Sequence, residues 1–423
     1  MKKISFICIH GLFALFFFSS CSDESEKEQP VQPSVSQENT RVLIPLTPEE
    51  QAMPAKSNGF AMKLLNSLLD KTQIRENVFL SPISVVYALG MLNELAASES
   101  KQEIAKVLGF DQEDGPYLTD FCFKMLSWSP QVDRTVSIGA ANMIVTNSLY
   151  KLDFYSNYKE CLHDNYEARV ESMDFSSAGT LDDINHWCSE HTGRQITKML
   201  DRLDGRSTMV LLNASHFKGA WSTPFDKSQT SDENFMLENG TVRKVKMMKK
   251  KAPVYGGIGE HCYYVSVPFG NQGYSMVLAL PFEGLGVREM VGRLTEDDVK
   301  EMCSPMGAGV NVEVWLPRFS VEWGMNMKEI LQDMGLPMQI DMTGAADGLG
   351  FQQIGTILQK ATIKVDEGGA EASAATDIEM APTSAGPLSD STNPEFHCDR
   401  PFLYLIVEKS TGAIFFMGTY MGE

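Results

Sequence analysis

Positive charge is scarce in this chain, its cysteines show no paired spacing, and it carries no enzyme signature; each absence removes a class of function. Its 423 residues hold 36 Lys and Arg against 55 Asp and Glu, a net charge of −19. That balance argues against nucleic acid or an anionic membrane surface as a partner and leaves a basic protein compatible. Of eight cysteines, Cys8 and Cys21 lie in the N-terminal segment. The other six, Cys122, Cys161, Cys188, Cys262, Cys303 and Cys398, form no C-x-x-C pair and no metal-ligand spacing. In a chain of this size they read as free thiols, and no metal or other cofactor is expected. G-x-S-x-G, H-E-x-x-H, a Walker loop and a strand-borne G-x-G-x-x-G are all missing. Gly284-Leu285-Gly286 reads as a turn, and His163, His186, His191 and His261 stand unpaired in sequence. There is no internal repeat. The expectation is a protein that is not an enzyme.

What is present begins with an export signal. Met1-Lys2-Lys3 and the apolar run to Phe18 form a secretory signal over residues 1–20, too short and too near the start for a spanning helix. Phe18-Ser19-Ser20-Cys21 resembles a bacterial lipobox, so Cys21 is the expected lipid attachment and the membrane anchor. The acidic Ser22 to Glu26 stretch resembles surface-export signals of some Gram-negative lipoproteins, which implies a cell-envelope lipoprotein, outer-membrane and surface-exposed. Residues 21–48 are rich in Ser, Glu, Gln and Pro and read as a flexible acidic tether.

Residues 49–423 read as one folded domain, and a hydrophobic content of 43% supplies a sizeable core. Phe60, Leu64, Leu65, Leu68 and Leu69 fall on one helical face after a Ser57/Asn58 cap. Ser81-Pro82 reads as an N-cap with Pro in the first turn of an apolar helix. Val210 to Trp221, Val245 to Met248, Val265 to Phe269 and Ser275 to Pro281 read as strands. Helices and strands are interleaved without regular β-α alternation, which predicts a mixed α+β domain.

The stretch Lys364 to Ser384 is patterned as a strand but built from small residues. Ala370, Ala372, Ala374, Thr376, Ile378 and Met380 alternate with Glu371, Ser373, Ala375, Asp377 and Glu379. A breaker-rich tail with Pro382, Gly386, Pro387 and Pro394 follows. Small inward side chains would let such a strand slide between two others without overpacking them.

Lys364-Val-Asp-Glu-Gly-Gly-Ala-Glu-Ala372 resembles the hinge of the serpin family, and Phe396-His-Cys-Asp-Arg-Pro-Phe-Leu-Tyr-Leu-Ile406 resembles its C-terminal signature. Further similarities in family order extend the resemblance from about Ser57 to Tyr420. It implies a single domain of three β-sheets and about nine helices with a reactive-centre loop over about 367–396. It also implies a monomer that inhibits a protease by suicide cleavage and loop insertion. The hinge would comprise Glu367, Gly369, Ala370, Glu371, Ala372, Ala374 and Thr376. Ser81, Ser84, Asn213 and Gln359 would form the shutter through which the sheet opens, with Trp221 at the loop entry point. The bait bond falls at Thr383–Ser384, with Leu388–Ser389 a distant alternative. Two departures stand out: Leu95 and Ser98 replace glycines, and Gln359 replaces a histidine. Glutamine keeps a donor and an acceptor but removes a group that titrates near neutral pH. No Lys or Arg lies between Val365 and Asp399, so the implied targets are elastase-like or other small-S1 serine proteases, or papain-like cysteine proteases. The alternative is a non-inhibitory member acting as a carrier or chaperone.

Overall fold

The computed structural model describes residues 39–72, 76–304, 309–347, 349–370 and 394–422. Ser81 caps the helix Pro82–Leu95, its Oγ accepting from Ser84 N at 3.3 Å, with Pro82 in the first turn. That helix is buried on every side except at Glu94 and lies inside the core, as an all-round apolar helix must. It ends without glycine: Ala96 and Ala97 take extended backbone and the next helix, Ser98–Val107, starts at once. Two small extended residues thus make the corner where the sequence lacks a glycine turn.

One expected cap is corrected. The first helix runs Met53–Lys71, begins beyond Ala52 and has Pro54 in its first turn, so Ser57 and Asn58 lie inside it and are buried. Asn58 is drawn into tertiary contacts instead: its Nδ2 donates to Gly412 O at 2.8 Å and its Oδ1 accepts from Ile414 N at 2.9 Å. The tether expected through residue 48 is packed from Asn39 onward. Asn39 Nδ2 donates to Asp133 Oδ1 at 2.8 Å, and Ile44 is buried.

The described residues hold nine α-helices and three sheets, an α+β arrangement. None of these helices is long and apolar enough to cross a membrane. The nine-stranded sheet runs Val78–Leu80, Ile414–Tyr420, Phe402–Glu408, Tyr274–Pro281, Cys262–Pro268, Val242–Ile258, Val310–Pro317 and Glu395–His397, with Ser231–Met236 also paired to Val242–Ile258. A two-stranded sheet joins Ile340–Asp341 to Phe351–Gln352.

The six-stranded sheet positions the site. Its order is Phe319–Asn326, Thr356–Asp366, Gly369–Ala370, Met209–Ala220, Val136–Asn147 and Ala168–Met173. We call Thr356–Asp366 the feeder strand, Met209–Ala220 the receiving strand and Gly369–Ala370 the hinge strand. Feeder and receiver pair directly, in parallel, from Thr356↔Val210 to Thr362↔His216. Beyond that point the hinge strand wedges between them, antiparallel to both. The sheet is therefore closed along most of one seam and parted at one end.

Each face of the seam meets its own core. Met209, Leu211 and Phe217 join the main core, on the side where the helix Pro82–Leu95 contacts the receiver. Val210, Leu212 and Ala214 face a second cluster built from the helix Ala178–His191 and the segment after it, with Ile184, Cys188, Ile196 and Met199. Asn185 Oδ1 fixes that segment by accepting from Met199 N at 2.7 Å and Leu200 N at 2.9 Å, and Lys360 Nζ donates to Lys198 O at 2.6 Å. Helix and segment form a strap across the seam.

Candidate functional site

The parted end is pinned through the turn that leads into the hinge. Trp221 N donates to Gly368 O and Phe225 N to Glu367 O, both at 2.9 Å, while Trp221 Nε1 donates to Asp366 O at 2.9 Å. Trp221 stacks on Phe269 with centroids 4.4 Å apart, and Phe225 meets its edge at 5.8 Å. Glu367 is 2% exposed, accepts from Thr230 Oγ1 at 2.7 Å and pairs with Arg318. Burial alone would raise its pKa, but the hydrogen bonds from Thr230 and Arg318 outweigh it and hold the carboxyl below the usual range. Arg318 is supplied by the break between Val310–Pro317 and Phe319–Asn326, two strands that belong to different sheets.

Gly369 and Ala370 occupy the wedge. A Cβ on Gly369 would overlap the Gly219 carbonyl oxygen and come within 2.7 Å of Ala220 Cα, and its φ is +153°. Backbone on the receiver leaves room for hydrogen alone. Ala370 is 0% exposed and joins the main core.

A cation sits beneath these aromatics. Lys250 is 6% exposed, its Nζ lying 5.1 Å from the Trp221 ring centroid and 4.5 Å from that of Phe225 while donating to Thr223 O at 2.8 Å. Burial lowers its pKa from 10.5 to about 7. In the unfolded chain the ammonium keeps its ordinary pKa, so between about 7 and 10.5 the unfolded state binds more protons and folding stability rises with pH. That gain is complete above 10.5 and is lost as pH falls through 7. Lys250→Met should raise the unfolding free energy in urea at pH 7, by on the order of a few kcal/mol, and flatten the rise between pH 7 and 10. Parallel pH profiles for the two proteins would show that this ammonium is solvated.

Lower on the seam a polar network crosses three strands. Gln359 Nε2 on the feeder donates to Ser81 O at 2.6 Å and lies 3.3 Å from Asn213 Oδ1 on the receiver. Asn213 Nδ2 donates to Asn142 Oδ1 at 2.8 Å, and Asn142 Nδ2 to Tyr166 O at 2.8 Å. Ser81 Oγ donates to Phe415 O at 2.8 Å, with Ser84 Oγ 2.9 Å away. All five polar side chains are buried. The amide at position 359 makes its donor contacts without any titratable group.

Ser81, Ser84, Asn213 and Gln359 are thus brought together at the middle of the seam, and Glu367, Gly369, Ala370 and Trp221 at its parted end. Glu371, Ala372, Ala374, Thr376, Thr383, Ser384, Leu388, Ser389 and Cys21 lie outside the described residues. Sequence reasoning missed Asn142, Thr230, Phe225, Arg318 and Lys250. For Lys250 a signal existed: Met248, Lys250, Ala252 and Val254 keep strand phase, and all four are buried. All six cysteines among the described residues are free.

The seam, its wedge and the pinned turn define the class. The profile described as Serpin (serine protease inhibitor) matches residues 55–422. Serpin B3 of Homo sapiens is 31% identical over 367 residues, covering 81% of this chain and 93% of that protein. Iripin-1 of Ixodes ricinus is 30% identical, covering 86% and 92%. Among solved structures, the thermophilic serpin tengpin in its native state is 25% identical with a TM-score of 0.77, over 90% of this chain and 95% of that one. Thyroxine-binding globulin in complex with thyroxine shares the fold at 24% identity, with a TM-score of 0.77 over 88% and 99%. The chain belongs to the serpin family, whose members are for the most part protease inhibitors and not enzymes, though some are non-inhibitory.

Proposed function

We propose that this protein is a suicide inhibitor in which a target protease cleaves the bait loop and is trapped as an acyl-enzyme while the hinge strand lengthens into the seam. The observation that carries this reading is the wedge: two hinge residues already pair with both neighbours at one end of an otherwise closed seam. Extending that register, each further loop residue moves one residue back along both neighbouring strands. Residues 372, 374, 376, 378 and 380 then fall opposite Phe217, Ser215, Asn213, Leu211 and Met209, all buried on the main-core side. These are Ala, Ala, Thr, Ile and Met, small nearest the parted end and larger farther along. Thr376 arrives between Gln359 and Asn213, so the polar network is the contact that insertion must part. Residues 375, 377 and 379 would face the strap, which must lift.

The protease nucleophile attacks the Thr383 carbonyl, forms an acyl ester and expels the Ser384 amine. About ten residues then gain ladder hydrogen bonds at roughly 1 kcal/mol net each, so release is on the order of 10 kcal/mol. Strain release by serpin loop insertion is a switching mode for which the family itself is the standing example. Ala381-Pro382-Thr383 suits a small S1 pocket, and the acidic loop steers a basic protease with an on-rate that falls as salt rises. The carrier or chaperone reading is disfavoured by the small, proline-free hinge.

Equimolar mixing with an elastase-type protease should give an SDS-resistant complex and a new N-terminus at Ser384. Cleavage without any complex overturns the inhibitory reading, and fast trypsin inhibition overturns the assignment of the bait residue. We further propose that the mature monomer starts at a lipidated Cys21 and works from the outer membrane at the cell surface. Cys21→Ala should move it to the soluble fraction, and unchanged fractionation would exclude the anchor.

A further inference from the structure

A joint beside the wedge ties three parts of the chain to one buried carboxylate. Asp133 is 1% exposed and stands at the foot of the strand Val136–Asn147, its main-chain O accepting from Val136 N at 3.1 Å. Val136 pairs with Gly219 on the receiver, and Gly219 also pairs with Ala370. The joint is therefore level with the hinge strand, one strand beyond the receiver. The Asp133 carboxylate accepts from Thr135 N at 2.8 Å and Thr135 Oγ1 at 2.7 Å. It also accepts from Asn271 N at 2.7 Å, in the turn between Cys262–Pro268 and Tyr274–Pro281, and from Asn39 Nδ2 at 2.8 Å. Asn39 Oδ1 accepts in turn from Arg134 N at 3.2 Å and Asn271 Nδ2 at 3.4 Å.

The turn at Asn271 belongs to the nine-stranded sheet and also grips the end of the receiver. Gly270 N donates to Ala220 O at 2.9 Å, and Ser222 Oγ donates to Gly270 O at 2.8 Å. Gly270 has φ +39°, and a Cβ there would overlap Asp133 Oδ2, so this backbone is pressed onto the carboxylate. The segment that brings Asn39 is itself held: Val42 N donates to Val132 O at 3.4 Å, Arg41 Nη2 lies 3.8 Å from the buried Glu408, and Ile44 joins the main core. Opening the seam separates feeder from receiver. The receiver stays hydrogen-bonded to Val136–Asn147, and that strand to Ala168–Met173, so these three move together while the feeder stays with Phe319–Asn326. The joint fastens the foot of the moving group to the nine-stranded sheet. We propose that residues 39–44 are a latch, in which Asn39 completes the joint and holds the parted end at its native width. Its consequence for capture rests on the inhibitory reading above: an unlatched seam would let the hinge advance before any cut, and the molecule would be spent before it met a protease.

Asn39→Ala and Asn39→Asp in the full-length chain test the latch. Alanine removes the donor, whereas aspartate sets a second carboxylate against Asp133 and repels it, so its effect should be the larger. Asp133 keeps Thr135 and Asn271 as donors in both, and each variant should fold with a urea midpoint close to wild type. Backbone amides of residues 136–141 and 217–220 should exchange with solvent about tenfold faster, while those of Phe402–Glu408 are unchanged. Freshly prepared, the variants should form the SDS-resistant complex with wild-type stoichiometry, and on warm incubation they should lose that capacity about tenfold sooner. Wild-type exchange at the parted end in both variants overturns the latch and leaves the inhibitory reading intact. Uniformly faster exchange in both sheets also overturns it, because the contact would then serve the whole fold equally. Faster exchange confined to the parted end, with no covalent complex even from the wild type, upholds the latch and overturns the inhibitory reading.

Discussion

Ala372→Arg is expected to turn the inhibitor into a substrate: the protease cuts after Thr383, is released and turns over, and no SDS-resistant band forms. Register places residue 372 opposite Phe217 on the receiver and Ile363 on the feeder, both buried. Insertion would carry a guanidinium between them with no acid to pair it, at a cost of several kcal/mol against a release on the order of 10. The competition is also kinetic, because the early hinge must enter before water hydrolyses the ester. Ser373→Arg is the matched control, since residue 373 falls opposite the partly exposed His216 and should inhibit nearly as wild type. Folding of both variants is expected to be unaffected, and the urea midpoint of each uncomplexed protein checks this. Equal stoichiometry of inhibition for the two variants would mean that the segment does not enter as a strand.

Gly369→Val should be nearly as damaging, from the opposite side of the same event. The new side chain meets the Gly219 carbonyl and Ala220 Cα, backbone atoms that cannot swing aside. The hinge strand must leave the wedge, losing its pairing to both neighbours and straining the turn pinned by Trp221 and Phe225. The expected result is a lowered urea midpoint and at least a tenfold rise in the moles of inhibitor needed per mole of protease. Gly115→Ala is the control: no atom lies within 4 Å of its added Cβ. If Gly369→Val inhibits with wild-type stoichiometry, seating of the first hinge pair is not needed for capture.

Signals confined to a few residues were legible in the sequence. Ser81-Pro82 declared its helix, the face Phe60 to Leu69 its burial, and the Val210 to Trp221 run its strand. The chain's family order carried the three sheets and the helix shell. Capping at Ser57/Asn58 failed because an amide one turn into a helix can be claimed by a distant strand, here 356 residues away. Thr230, Arg318 and Asn142 were invisible for a related reason. A buried carboxylate or amide announces that partners exist, but only the sheet register says which ones. Lys250 is different: strand phase already put it among Met248, Ala252 and Val254, and charge hid what alternation stated.

The strap across the seam holds one further consequence. Cys188 lies on its inner surface, 0% exposed against the sheet, and burial pushes its thiol up to about 12. Sealed, it is doubly unreactive, being out of reach and almost wholly protonated. Lifting the strap would cancel both protections together, since a wetted thiol regains its ordinary acidity and with it a thiolate to alkylate. A maleimide pulse fired at successive delays after mixing with protease, with alkylation read at Cys188 apart from the free, partly exposed Cys161, would therefore time any lifting of the strap.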